Sequence, residues 1–172
     1  MKKKSKQTMF KVADLFTFGN AAMGLLAIMF FIMNRATTGA ILILIAILFD
    51  FFDGKVAKWM KQQNEIGKQF DSLSDLISFG VAPAILGFTL GLNSASAIVI
   101  LIFYALCGLY RLARYNVTKS KGFEGIPITI SALIIVILSF FISFTEYTAY
   151  VLALYAVLGL LMVSKIRVKR LI

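Results

Sequence analysis

The sequence predicts an all-α integral membrane protein with six transmembrane helices. Its 172 residues are 60% hydrophobic, and their mean hydropathy is +0.89, well above the range of water-soluble domains. Six apolar segments, each near the ~20 residues that a helix needs to cross a bilayer, are separated by short polar stretches. Because backbone groups in lipid must find partners within the protein, a helical bundle is the architecture expected for such spans.

The chain is expected to form a single membrane domain over residues 1–172. Its basic N-terminal segment, residues 1–15, carries an apolar stripe that predicts a short amphipathic helix on the membrane surface, and an irregular basic tail is the alternative. The six spans that follow are expected at residues 16–33, 38–60, 69–91, 95–115, 127–144 and 147–164.

The basic residues predict the orientation of the spans. All of the 18 Lys and Arg residues except Arg35 fall in the N-terminal segment, at the ends of spans two and four or in the connections after them, or at the C-terminus. Because cytoplasmic segments are rich in Lys and Arg, we expect both termini in the cytoplasm and the protein in the cell (inner) membrane. The net charge of +10 is then explained by anionic lipid, without nucleic acid.

Four aspartates interrupt the apolar background between positions 50 and 75. They share two helix faces with small residues: Asp50, Asp53, Gly54 and Ala57 on one, and Gly67, Asp71 and Asp75 on the next. A carboxylate at membrane depth costs roughly 2.5–3.5 kcal/mol, so this cluster needs a physical reason. Converging carboxylates form a hard, all-oxygen site for Mg²⁺, Mn²⁺ or Ca²⁺, and the chain has no His to favour zinc.

A pair of divalent ions in such a site indicates phosphoryl chemistry. The nearby Lys55, Lys58, Lys61 and Lys68 suit a phosphate-bearing ligand. An ion pathway, a structural salt-bridge network and a cation channel or carrier are alternatives. A carrier needs a polar path to the outer face, and residues 41–49 and 86–92 offer almost none.

The aspartate run resembles the signature of the CDP-alcohol phosphatidyltransferases. The matching pattern is Asp50-x-x-Asp53-Gly54-x-x-Ala57-Lys58, then eight residues, then Gly67-x-x-x-Asp71-x-x-x-Asp75. The family has Arg at the position of Lys58. Lysine keeps the positive charge but lacks the bidentate fork of arginine. Three further stretches resemble the branch of the family that uses serine: Ser78–Pro83, Arg111–Asn116 and Phe123–Pro127. That branch usually has a second proline where this chain has Thr129.

The resemblance implies transfer of a phosphatidyl group from CDP-diacylglycerol to L-serine, with CMP as product. It implies two divalent cations, Mg²⁺ or Mn²⁺, with these ligands: Asp50, Asp53, Asp71 and Asp75. Asp75 is also the implied catalytic base. The implied contacts to the CDP-lipid are made by Asp53, Gly54, Ala57, Lys58 and Gly67.

The serine carboxylate needs a cationic partner, and an arginine fork suits it. The candidates for acceptor binding lie at the end of span four and just after it: Arg111, Arg114, Asn116 and Lys119. Alternatively, the two arginines reach lipid headgroups. Glycerol 3-phosphate or an inositol phosphate are alternative acceptors within the same chemistry. Family members are commonly homodimers, which makes a homodimer the expected assembly.

Overall fold

A computed structural model of the chain describes residues 12–59, 65–117, 123–165 and 167–168. These residues form the following helices: α1 (Val12–Ile32), α2 (Ala36–Trp59), α3 (Glu65–Asp75), α4 (Ala82–Thr89), α5 (Ala95–Val117), α6 (Ile128–Phe141) and α7 (Thr148–Val163). A π-helical segment, Leu76–Val81, joins α3 to α4 without a break. The two short strands β1 (Phe123–Glu124) and β2 (Arg167–Val168) pair in antiparallel fashion.

The all-helical fold is confirmed, and helical residues occupy each predicted span. Four helical segments are long and apolar enough to cross a membrane: Asp14–Ile32, Ala36–Val56, Ile66–Thr89 and Ala95–Val117. The helices α6 and α7 are shorter than predicted, with 14 and 16 residues. Helix α6 begins only after Pro127 and ends before Ile142, whose backbone is extended (φ −128°, ψ 147°).

The predicted surface helix over residues 1–15 is described only in part. Residues 12–15 belong to α1, which continues without interruption to Ile32, so they do not form a separate helix. Residues 1–11 lie outside the described part of the chain. The side chain of Leu15 in this first turn is 71% exposed.

Helices α1 and α2 form an antiparallel hairpin with a tight connection. Asn34 has a left-handed backbone (φ 58°), which Asn tolerates better than most residues. The N–H of Asn34 donates to the carbonyl of Phe31 at 2.9 Å, and the N–H of Arg35 donates to that of Phe30 at 2.8 Å. These two bonds complete a Schellman motif that ends α1.

The π-helical segment lies at the centre of the bundle and contacts α1, α4, α5 and α6. Pro83 has no N–H, so the carbonyl of Phe79 lacks its usual helical donor four residues later. The buried Tyr104 hydroxyl on α5 donates to this carbonyl at 3.0 Å. On α7, the Tyr155 hydroxyl donates to the carbonyl of Pro83 at 2.7 Å. The two tyrosines therefore tie α5 and α7 to the centre of the bundle.

The substitution Tyr104→Phe is expected to lower the thermal unfolding temperature in detergent. It removes the buried hydrogen bond from the Tyr104 hydroxyl to the carbonyl of Phe79, which costs about 0.5–1.5 kcal/mol. Tyr110→Phe is the matched control, because Tyr110 lies on the same helix and is 55% exposed. Equal unfolding temperatures for the two variants would contradict this role of Tyr104.

Candidate active site

The carboxylates of Asp50, Asp53 and Asp71 meet between α2 and α3. Asp50 and Asp53 are one helical turn apart on α2, and Asp71 lies on α3. One oxygen from each carboxylate lies within 4.8 Å of the other two. Asp53 is buried, whereas Asp50 and Asp71 are half-buried. The two acidic helix faces that the sequence indicates therefore come together.

Asp75 joins this cluster from its buried side. It lies one turn after Asp71 and is 8% exposed. The Nδ2 amide of Asn20 on α1 donates to Asp75 Oδ1 at 3.0 Å. The Asp75 carboxyl group also lies within hydrogen-bonding reach of Asp50. All four aspartates of the signature thus belong to one group of interacting carboxyl groups.

Neutral donors from two other helices hold the carboxylates. Thr17 Oγ1 on α1 donates to Asp53 Oδ2 at 3.1 Å, and Thr129 Oγ1 on α6 approaches Asp50 Oδ2 at 3.4 Å. Sequence reasoning missed Thr17 and Asn20 as site residues. The sequence feature that could have identified them is a pair of polar side chains three residues apart, on one face of an apolar helix. Thr129 stood out only as a departure from a family proline.

The donor set fits a divalent cation. Carboxylate oxygens are the ligands that Mg²⁺ and Mn²⁺ prefer, and three carboxylates converge here. Asp71 Oδ1 is buried and has no hydrogen-bond partner among the described residues. A buried, negatively charged oxygen without a hydrogen-bond donor is unfavourable unless a positive group, such as a metal ion, neutralises it. The cluster can therefore hold a metal ion.

Arg111 on α5 is the buried cation beside this cluster. Its side chain is 7% exposed, and its guanidinium group is attracted electrostatically to Asp75 and Asp50. Its Nε–H is buried and has no acceptor within the part of the chain that the structure describes. Arg111 therefore has a donor to offer to an anionic ligand next to the carboxylates.

The other predicted acceptor residues contact neighbouring helices. The two terminal nitrogens of Arg114 donate to the carbonyls of Val163 and Ser164 at 2.9 and 3.1 Å, at the end of α7. Asn116 Nδ2 donates to Ser72 Oγ on α3 at 2.9 Å. Lys119 lies outside the described residues.

The positions predicted to face the CDP-lipid lie on α2 and α3. Gly54 is exposed, and a Cβ atom added there would meet no atom within 4 Å among the described residues, its own helix backbone aside. Gly67 is half-buried and lies one turn before Asp71. Ala57 and Lys58 are in the last turn of α2, and the structure describes their backbone but not their side chains.

The site lies at one end of the bundle. Its side chains come from the N-terminal halves of α1, of α6 and of the continuous helical segment Glu65–Thr89, and from the C-terminal halves of α2 and α5. This grouping is what a bundle of alternating helix directions produces. The carboxylates of the cluster and Arg111 are thus gathered at one end of the bundle.

Comparison with known proteins finds sequence similarity over most of the chain. A sequence model of the CDP-alcohol phosphatidyltransferase family matches residues 10–163. A relative from Bacillus subtilis, called CDP-diacylglycerol–serine O-phosphatidyltransferase, is 36% identical over 158 residues, which cover 89% of this chain and 86% of that protein. A protein of the same name from Saccharomyces cerevisiae is 47% identical over 96 residues, covering 49% of this chain and 35% of that protein.

A third relative extends the similarity to nearly the whole chain. It is an archaetidylserine synthase from Methanothermobacter thermautotrophicus, 36% identical over 177 residues, which cover 99% of this chain and 74% of that protein. The resemblance that the aspartate spacing indicates is therefore confirmed by independent residues outside the signature. The chain belongs to the CDP-alcohol phosphatidyltransferase family of membrane enzymes.

Proposed function

We propose that this enzyme transfers the phosphatidyl group of CDP-diacylglycerol to the hydroxyl group of L-serine and releases CMP. The observation that carries the proposal is the convergence of Asp50, Asp53 and Asp71 beside the buried Asp75. The choice of serine is supported by the names of the relatives, among them one that the chain matches over most of its length.

In the proposed reaction, the serine hydroxyl oxygen attacks the phosphorus atom that carries diacylglycerol. A new P–O bond forms as the P–O bond to CMP breaks, and CMP leaves as its phosphate anion. The hydroxyl proton passes to the carboxylate of Asp75, which is the candidate base because Asn20 holds it inside the cluster. A base must lie within about 2.6–3.2 Å of the group it deprotonates, or act through one water.

We further propose that Asp50, Asp53, Asp71 and Asp75 together hold two divalent cations, Mg²⁺ or Mn²⁺. Enzymes of this family generally use divalent metals, and one carboxylate oxygen from each of Asp50, Asp53 and Asp71 lies within 4.8 Å of the other two. Bound metal ions would neutralise the pyrophosphate and stabilise the leaving CMP.

The CDP-lipid is proposed to lie against the face of α2 and α3 that carries the small residues. The contacts assigned to it are those of Asp53, Gly54, Ala57, Lys58 and Gly67. The open space beside Gly54 supports this placement, because a ligand can approach the backbone there. Lys58 would supply positive charge to a phosphate.

The serine carboxylate is assigned first to Arg111. Arg111 is buried beside Asp75, and its Nε–H is available among the described residues. Arg114 and Asn116 already bond to α7 and α3, so their proposed contribution to acceptor binding requires them to share or exchange those bonds. Lys119 stays a prediction from the sequence.

An acceptor assay tests the proposed function. Purified protein is given CDP-diacylglycerol, Mn²⁺ or Mg²⁺, and in turn L-serine, glycerol 3-phosphate or an inositol phosphate, and CMP release is measured. We expect release with serine and little with the phosphorylated alcohols, whose doubly charged phosphate group calls for more buried cations than Arg111, the one that the described residues provide. Release with glycerol 3-phosphate but not with serine would overturn the proposal.

We propose six membrane crossings, with both termini and the active site on the cytoplasmic side of the cell membrane. The gathering of the charged groups at one end of the bundle supports this topology. It requires α6 and α7 to cross with help from flanking residues, since their 14 and 16 residues span only about 21–24 Å.

Cysteine labelling tests the topology. Cys107 is buried and is removed first, so that single cysteines can be introduced at exposed positions. We expect Lys165→Cys to react with a membrane-impermeant maleimide only after permeabilisation, and Glu146→Cys to react in intact cells. Both positions are exposed in the fold. Labelling of both positions in intact cells would refute the six-span arrangement.

A homodimer is also proposed, on the resemblance to the family. The apolar outer surface of the helices supports lipid or protein contact, as shown by exposed side chains such as Val99 (66%) and Phe141 (80%). The mass of the purified protein after subtraction of bound detergent distinguishes one copy from two.

A further inference from the structure

Asn20 on α1 donates a hydrogen bond to the aspartate cluster, and its side-chain oxygen has no donor among the described residues. The residue is fully buried, with 0% exposure. Its Nδ2 donates to Asp75 Oδ1 at 3.0 Å, and its backbone carbonyl accepts from Ser78 Oγ at 3.0 Å. Its Oδ1 is buried and has no partner among the residues that the structure describes.

The contact to Asp75 fixes the direction of this oxygen. A carboxylate oxygen can only accept a hydrogen bond, so the amide must turn its NH₂ group towards Asp75. The Oδ1 atom shares a carbon with Nδ2 and therefore remains close to the proposed base. A buried amide oxygen is unfavourable without a donor, so a donor from outside the described fold fits this position.

The groups of the proposed acceptor identify the kind of donor. Its hydroxyl proton passes to Asp75 and its carboxylate can only accept hydrogen bonds, so its ammonium group is the one that can donate to Asn20 Oδ1. Arg111 is also attracted to Asp75, and its Nε–H has no acceptor among the described residues and can donate to an anion. An acceptor molecule placed with its hydroxyl at Asp75 thus meets an amide oxygen at Asn20 and a guanidinium group at Arg111.

We propose that Asn20 Oδ1 accepts a hydrogen bond from the α-ammonium group of the acceptor amino acid, while its Nδ2 positions Asp75. Asn20 then determines specificity for an acceptor that carries an amine, and Arg111 binds the carboxylate of the same molecule. This inference rests on the proposed function, because it assigns one part of the serine molecule to a residue outside the aspartate signature.

The test compares L-serine with 3-hydroxypropanoate, which has the same hydroxyl and carboxylate groups but no amine. The wild-type protein should prefer serine in kcat/KM by about 10- to 100-fold, the range for one hydrogen bond to a charged group. In Asn20→Ala this preference should fall close to 1. Any general loss from a poorly held Asp75 lowers both rates and cancels in the ratio.

Thr17→Val is the matched control variant. Thr17 lies one turn earlier on α1 and donates to Asp53, so its loss should lower the rates of both acceptors and leave their ratio unchanged. Asn20→Ser serves as a second variant in case Asn20→Ala does not fold, because its hydroxyl group is too short to replace the amide.

Three outcomes separate the inference from the function on which it rests. A wild-type protein that uses both acceptors equally overturns the inference without any variant. An Asn20 variant that folds and keeps the wild-type preference for serine also overturns it. A wild-type protein that releases no CMP with serine overturns the proposed function itself.

Discussion

Asp71→Asn is expected to reduce CMP release by at least about a thousandfold, which corresponds to ~4 kcal/mol of lost transition-state stabilisation. The substitution keeps the shape of the side chain and removes one of the three carboxylates that converge between α2 and α3. Asp71 Oδ1 has no hydrogen-bond partner among the described residues, so the exchange leaves an unoccupied acceptor instead of breaking an internal bond. The loss should therefore affect metal binding and not the fold.

The effect on the metal is measured apart from turnover. Mn²⁺ should raise the thermal unfolding temperature of the wild-type protein and have a much smaller effect on Asp71→Asn. Glu146→Gln is the control, because it removes an exposed acidic group far along the chain from the signature. Near-normal CMP release by Asp71→Asn, from protein recovered in the membrane at wild-type amounts, would refute a role for Asp71 in metal-dependent catalysis.

The aspartate cluster could be predicted because its residues lie close together in the sequence. Spacings of three and four residues place Asp50 with Asp53, and Asp71 with Asp75, on their own helix faces. In the fold, one oxygen from each of Asp50, Asp53 and Asp71 lies within 4.8 Å of the other two. The contacts of Thr17 to Asp53 and Asn20 to Asp75 span 36 and 55 residues, and no local spacing reveals them. They depend on how α1 packs against α2 and α3, which carry the signature.

The two arginines of α5 show that helical spacing alone does not predict which groups a side chain contacts. Arg111 and Arg114 are three residues apart, which predicts one shared face. In the fold, Arg111 lies beside Asp75, whereas Arg114 bonds to carbonyls at the end of α7. The last carbonyls of a helix have no partners within it and attract such donors. That competition depends on where α7 ends, which the sequence does not reveal.

The second large effect is expected at Gly24, where α1 crosses the π-helical segment. A Cβ atom added to this buried glycine would overlap Ser78 Oγ and would lie only 2.9 Å from Ser78 Cα. Because Cα is backbone, no side-chain rotation relieves the clash, and α1 must move away. Overpacking of this kind costs about 1–3 kcal/mol. Gly24→Ala should lower the unfolding temperature and, by separating Asn20 from Asp75, reduce CMP release more than tenfold.

Gly54→Ala is the same chemical change on a neighbouring helix, and it should have the opposite effect on stability. A Cβ atom there meets nothing within 4 Å. The helix propensity of alanine is more favourable than that of glycine by about 1 kcal/mol, so the unfolding temperature should stay the same or rise. Since both variants gain the same helix propensity, the difference between their unfolding temperatures isolates the contact with Ser78. A Gly24→Ala protein as stable as Gly54→Ala and as active as the wild-type protein would show that α1 does not need this close approach to hold Asp75.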